Sequence, residues 1–204
     1  MHNNGSDILT GIVLAGGLSS RMGHDKTRIH VHGDSEPDLL VYTCKLLETV
    51  CPEVWISSRD VKPHADGYLW VKDEIEGKGP IGGVMTSLRA AQGPVLVLSC
   101  DLPFMNASML EKLIAFWKQK PEGTLHTTYI QEETGFIEAL VSIYEFKALP
   151  LFEQAVDDGM YKLSRVVPKE QQHCLPYVQQ DSLPFFNVNY PADLEMARRI
   201  IAAI

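Results

Sequence analysis

The sequence predicts an α/β protein with a mainly parallel sheet sandwiched by helices. Three observations carry that expectation: strand-like and helix-like segments alternate, a glycine-rich loop bearing cations follows the first strand, and a wholly apolar strand ends in an acid. With 204 residues, 45% of them hydrophobic and 22% charged, the chain is long enough to bury a full core. No internal repeat, low-complexity tract or linker divides it. A polar, disordered N-terminal segment at 1–7 and a single domain at 8–204 are expected.

The elements follow in order. Ile8 to Leu14 is an apolar run ended by glycines and reads as a strand, Leu39 to Val50 as a helix, and Glu53 to Ser57 and Tyr68 to Val71 as strands. Ile81 to Ala91 is helical, Pro94 to Ser99 is a strand too apolar to be exposed on either face, and Ala107 to Lys118 is helical behind Asn106. Thr124 to Ile130 and Phe136 to Tyr144 read as β. Phe146 to Val156 reads as a helix with Pro150 in its first turns, and Leu163 to Val167 as a short helix. Cys174 to Val178 and Phe185 to Val188 are further strand candidates. Ala192 to Ile204 closes the chain as a helix with Pro191 near its first turn.

The formal charge of −8 argues against nucleic-acid and membrane-surface partners, which select basic faces. Cys44, Cys51, Cys100 and Cys174 form no CxxC pair, and no secretory signal or run of about 20 apolar residues is present. A reduced, soluble, cytoplasmic chain is expected.

Against that acidic background, Gly17 to Arg28 holds Arg21, Lys26 and Arg28 with only Asp25 opposing them. Gly16 and Gly17 let backbone N–H groups approach an anion, and Arg21 and Lys26 add full charge. Leu14 to Lys26 therefore reads as a phosphate site at the carboxyl end of a strand, where open α/β sheets bind ligands. It matches neither GxGxxG nor GxxxxGK[ST]. Asp101, at the tip of the Val95 to Leu98 run, suits Mg²⁺ bridging phosphate oxygens, or alternatively a turn or a cap. Asp73 ends another strand before Gly77-Lys78-Gly79-Pro80-Ile81-Gly82-Gly83. There Gly82 and Gly83 either admit an anion at the helix start or let the helix pack tightly. His30 and His32 alternate as on one strand face. Asn187 and Asn189 can point to one side or cap the last helix.

These segments together resemble the molybdenum cofactor guanylyltransferase family, the molybdopterin-guanine dinucleotide biosynthesis enzymes. The signature LAGGxSxRMGxDK stands complete at Leu14 to Lys26, and Gly79-Pro80-Ile81-Gly82-Gly83 is similar to the family's GPLxG. Ser99-Cys100-Asp101-Leu102-Pro103-Phe104 resembles its CDxPF, and Asn187 to Leu194 its NVNTPEDL. The resemblance implies a Rossmann-like, three-layer α/β/α fold of the nucleotide-diphospho-sugar transferase type. It also implies transfer of GMP from GTP to the terminal phosphate of molybdopterin with release of pyrophosphate. Carried over by position, nucleotide contacts fall at Leu14, Ala15, Gly16, Lys26, Asp73 and Asp101, with Asp101 holding Mg²⁺ and a base-side contact near Ser57. Arg21 and Lys26 would neutralise the pyrophosphate, with Gly17 and Gly82 lining the same site. Two glycines after Ala15 favour guanosine over the cytidylyltransferases, which show LAAG. Thr27-Arg28, the Asp34 to Asp38 insertion and Phe136 depart from the family pattern, and no cofactor-binding residue is transferred to Phe136 to Leu140. Molybdoenzymes or other proteins of cofactor biosynthesis are candidate partners. The rival readings are a transferase using CTP or another phosphorylated acceptor, and a non-catalytic nucleotide-binding protein that delivers cofactor.

Overall fold

The computed structural model describes residues 8–16, 25–75 and 77–204. The expected disordered segment at 1–7, and Gly17 and Arg21 of the phosphate loop, lie outside the described residues. Seven strands form one sheet: β1 (Thr10–Leu14), β2 (Glu53–Ser58), β3 (Leu69–Lys72), β4 (Val95–Ser99), β5 (His126–Gln131), β6 (Ile137–Tyr144) and β7 (Gln172–Tyr177). Their order is β3-β2-β1-β4-β6-β5-β7, and only β6 runs against the rest.

Both faces of the sheet are covered, which explains why β1 and β4 are buried along their whole length. One face packs Val13, Leu96 and Leu98 against Leu40, Cys44 and Leu47 of α1 (Leu39–Glu48) and Leu110 and Leu113 of α3 (Ala107–Trp117). The other packs Ile12, Leu14 and Val97 against Ile81, Val84 and Leu88 of α2 (Pro80–Ala91) and Phe152 of α4 (Leu149–Asp157). The period of two along each strand sorts neighbouring side chains into these two cores. The last helix, α5 (Pro191–Ile201), closes a smaller cluster in which Ala197 and Val188 meet Ile29, Val31 and Leu39.

Side chains start the helices where the sequence supplies them. Asp38 accepts from Val41 N at 2.9 Å to cap α1, and Asn106 accepts from Met109 N at 3.1 Å to cap α3. At α5, Asp193 reaches back to the backbone N–H groups of Asn189 and Tyr190, both at 2.8 Å.

Four expectations differ in the structure. Phe185 to Val188 is not a strand: Leu183–Phe185 is a 3₁₀ turn with Pro184 in its first positions, and Val188 N donates to a single carbonyl, that of Asp101. His30 and His32 lie on no strand. His30 Nδ1 faces Glu36 O at 2.6 Å, while the His32 ring packs on Tyr42, with the chain turning at Gly33. The helix expected over Leu163 to Val167 is the 3₁₀ turn Leu163–Arg165. The helix expected over Phe146 to Val156 begins as a 3₁₀ turn, Phe146–Ala148, and becomes α-helical at Leu149 just before Pro150.

His126, at the sheet edge opposite the β1 and β4 tips, is 1% exposed and stacks on Tyr144 with ring centroids 4.3 Å apart. Its Nε2 has no hydrogen-bond partner among the described residues, and burial holds its pKa down at about 3. The folded value lies below the unfolded one of about 6.5, so the unfolded chain binds the extra proton and stability falls as pH drops from about 6.5 towards 3. A His126→Phe variant, which keeps the stacked ring, should lose about 3 kcal/mol of that acid dependence, measured as urea midpoints at pH 7 and pH 4. An unchanged acid dependence would show that His126 is not its source.

Candidate active site

Strand register assembles the site. Leu14 at the end of β1 is level with Ser57 of β2 on one side and Ser99 of β4 on the other. The connections leaving these strands therefore emerge at one edge of the sheet. Ala15 N donates to Ser57 O at 2.9 Å and Cys100 N to Leu14 O at 3.3 Å, which continues the pairing one residue past β1 and β4. Leu14 and Ala15 are buried, while Gly16 is exposed where the loop leaves the sheet.

Lys26, Asp101 and Asn189 meet at this edge from three distant parts of the chain. Lys26 starts a 3₁₀ turn, Lys26–Arg28, capped by Asp25. Its Nζ donates to Asn189 Oδ1 at 2.8 Å and stands 3.9 Å from Asp101 Oδ2. The other oxygen of Asp101 accepts the Ser99 hydroxyl at 2.6 Å, and its main-chain carbonyl accepts Val188 N at 2.9 Å. Burial raises the Asp101 carboxyl above the usual range, partly offset by Ser99 and by the positive charge of Lys26. The carboxylate is thus poised near a cation and still short of a tight ion pair.

The second group lies at the start of α2. Gly79, with φ of 75°, turns the chain into the helix, and Pro80 occupies its first turn. A Cβ on Gly83 would stand 2.7 Å from Ser57 Oγ and 3.0 Å from Leu14 Cδ2; one on Gly82 would collide with Asp73 Oδ1. These glycines let the helix start press onto the tips of β1, β2 and β3, so their packing role is visible in the contacts. Asp73 Oδ1 also accepts Ile75 N at 2.9 Å, fixing the carboxyl at the end of β3. Ser57 Oγ is buried, with no hydrogen-bond partner among the described residues. An unused hydroxyl of this kind costs about 1 to 3 kcal/mol, and it sits beside Leu14 at the mouth of the loop.

The structure thus brings Lys26 together with Asp101, and Ser57 with Leu14 and Gly83, and sets Asp73 against Gly82. The reading of Asn187 and Asn189 as a pair dissolves: Asn187 Nδ2 turns back to Phe185 O at 3.2 Å, while Asn189 holds Lys26. Asp193, not Asn189, satisfies the backbone at the start of α5. Ser99 is a site residue that no sequence motif singles out; it ends β4, and the turn at 100 and 101 brings the Asp101 carboxyl back to its hydroxyl. Glu138 also lies at this edge, because antiparallel β6 begins here; its carboxyl accepts the Tyr177 hydroxyl at 2.5 Å. Among the described residues no cluster of three or more His, Cys, Asp or Glu side chains forms a self-contained metal site, and no helix is long and apolar enough to cross a membrane.

Comparison with known proteins identifies the family and the fold. Residues 11–174 match the family of MobA-like NTP transferase domains. A molybdenum cofactor biosynthesis bifunctional protein of Synechocystis sp. is 32% identical over 91% of this chain, which spans only 52% of that relative's length. A probable molybdenum cofactor guanylyltransferase of Chloroflexus aggregans is 29% identical, with 94% of each chain aligned. Among solved structures, molybdopterin-guanine dinucleotide biosynthesis protein A from Archaeoglobus fulgidus superposes with a TM-score of 0.74 at 24% identity, covering 96% of this chain and 100% of that one. A CMP:2-keto-3-deoxy-manno-octonic acid synthetase superposes at 0.70 with 12% identity, covering 97% and 99%. The chain belongs to the MobA-like NTP transferase family and is a nucleotidyltransferase with its α/β fold.

Removing the Asn189 side chain deprives a cation of its 2.8 Å acceptor while Asp193 still caps α5. Asn189→Ala should weaken nucleoside triphosphate binding about tenfold in a calorimetric titration, with little change in melting temperature. Unchanged affinity would mean that Lys26 does not need Asn189 to be in place.

Proposed function

We propose that this member of the family transfers GMP from GTP to the terminal phosphate of molybdopterin, releasing pyrophosphate. The observation that carries the reading is the meeting of Lys26, Asp101 and Asn189 at the register-aligned tips of β1 and β4. The names of the relatives support the acceptor, and the paired Gly16 and Gly17 after Ala15 support guanosine.

Nucleotidyl transfer asks the protein to hold two phosphorylated groups in line and to offset the charge on the leaving pyrophosphate. In this reading the backbone at Gly16 and Gly17 donates to the triphosphate, and Lys26 and Arg21 neutralise charge on the departing phosphates. Lys26 exchanges its 3.9 Å approach to Asp101 for a phosphate oxygen. Ser57, with its unpartnered hydroxyl, and Asp73, at the end of β3, take the nucleoside side. Gly82 leaves room for the Asp73 carboxyl at the helix start. The acceptor phosphate attacks directly, so no covalent enzyme intermediate forms.

The donor set fits Mg²⁺ in one specific way. Asp101 presents one hard carboxylate, with Oδ1 oriented by Ser99, and no cluster of three metal-binding side chains surrounds it among the described residues. That suits an ion which arrives on the triphosphate, retains waters and takes a single protein ligand. When bound, Mg²⁺ supplies charge to the phosphate oxygens; Asp101 fixes where that charge sits.

The reading is tested by pyrophosphate release on mixing the chain with molybdopterin, Mg²⁺ and each of GTP, CTP, ATP and UTP. Release with GTP and not the others is expected; preference for CTP would make it a cytidylyltransferase, and binding without release would make it a carrier. Lys26→Ala should lower kcat about a hundred- to a thousand-fold, the equivalent of about 3 to 4 kcal/mol, while circular dichroism stays unchanged. Turnover near that of the wild type would remove Lys26 from the chemistry. Asp101→Asn should raise the Mg²⁺ concentration needed for half-maximal rate at least about tenfold, and an unaltered metal titration would take Asp101 away from the ion.

A further inference from the structure

The connection between β2 and β3 reaches 37 positions back along the chain to grip the turn that carries Lys26. Lys62 Nζ stands 3.0 Å from Asp25 Oδ2. The other oxygen of Asp25 accepts Thr27 N at 3.0 Å and the Thr27 hydroxyl at 2.7 Å, so the residues on both sides of Lys26 are tied to one carboxylate. His64 Nε2 lies 3.3 Å from Thr27 Oγ1 and 3.6 Å from Asp38 Oδ2. The single hydroxyl proton of Thr27 goes to Asp25, so the nitrogen of His64 that faces Thr27 carries a hydrogen. Asp38 in turn caps α1. A continuous chain of polar contacts runs from Lys62 through Asp25, Thr27 and His64 to the start of a core helix.

Its place in the fold suits holding better than stabilising. The Lys62 side chain is 17% exposed and that of Asp25 37%, a partly solvated pair of the kind worth about 0 to 1 kcal/mol. Burial alone would raise the Asp25 carboxyl, yet the hydrogen bonds from Thr27 and Lys62 hold it below its ordinary value, so the anion these contacts need persists. Pro63 opens the 3₁₀ turn Pro63–Ala65 and Ala65 is buried, which fixes the spacing of Lys62 and His64 on the core. Thr27, 3% exposed, sits between them and Lys26. Asn189 holds the ammonium of Lys26; the Lys62 and His64 contacts hold its backbone.

We propose that Lys62 and His64 are positioning residues for Lys26, acting through Asp25 and Thr27 to set where its ammonium meets the phosphates. This role rests on the transfer reading above. Neither side chain touches substrate in it. Displacing a catalytic group by about 1 Å can cost on the order of a hundredfold in rate, so loss of one of two grips should be felt mainly in kcat.

The test measures pyrophosphate release from GTP and molybdopterin by the full chain, in Lys62→Met, Lys62→Arg, Lys26→Ala and the Lys62→Met/Lys26→Ala double variant. Lys62→Met should lower kcat about tenfold with the KM for GTP changed less than about twofold, and Lys62→Arg should restore most of the loss. In the Lys26→Ala background the same Lys62→Met change should cost less than about twofold, because there is no ammonium left to position. Wild-type kcat in Lys62→Met, or an equal loss in both backgrounds, would overturn the role. If Lys62→Met fails to fold, His64→Gln is carried through the same pair of backgrounds with the same criteria. A wild-type chain that releases no pyrophosphate would remove the transfer reading and this role with it; an active wild type with an indifferent Lys62 would remove the role alone.

Discussion

The parallel register of β2, β1 and β4 is the constraint on which the rest depends. With Ser57, Leu14 and Ser99 level, every connection leaving these three strands opens onto the same edge. Main-chain bonds carry the alignment slightly beyond the strands, through Ala15 to Ser57 and Cys100 to Leu14. A slip of one residue would send each side chain of β1 or β4 to the opposite core. The fully buried β1 and β4 make that slip costly, because helices cover both faces. Core packing thereby sets the placement of charged groups that contribute little to it.

Those charged groups are arranged for use and not for maximum stability. A buried carboxylate loses hydration, and a partner 3.9 Å away repays only part of the loss, which is why Asp101 is pushed up in pKa although Lys26 is close. Ser99 and Asn189 supply directed hydrogen bonds that fix the two side chains without neutralising them. In the proposed transfer such a site would offer phosphates a preorganised field, without the reorganisation that a tight Lys26 to Asp101 pair would impose. The long Lys26 to Asn189 contact, spanning 163 positions, also ties the first loop to the closing segment of the chain.

Much of this was readable from the residues because it is local. Apolar runs bounded by glycine or an acid mark β1 and β4, and the cation excess in an acidic chain singles out the segment after β1. The family resemblance added the expectation that Lys26, Asp73 and Asp101 contact the nucleotide. What stayed hidden depends on partners distant in sequence. Phe185 to Val188 carries strand-like residues, yet its backbone meets Asp101 and Leu183 and joins no ladder. The alternation of His30 and His32 reflects a turn at Gly33, where side chains alternate without a sheet beneath them. Lys62 and His64 stand in a polar connection with no motif of their own, and only the fold reveals that they face Asp25 and Thr27.

A crystal structure of the chain with Mg²⁺ and a GTP analogue that resists cleavage between the α- and β-phosphates tests the central claim most directly. The account predicts the triphosphate over the β1 tip, with its oxygens on the Gly16 backbone and Lys26 Nζ, the ion on Asp101, and the nucleoside towards Ser57 and Asp73. A nucleotide bound elsewhere, or a triphosphate over β1 that leaves Lys26 and Asp101 still facing each other and untouched, would contradict it.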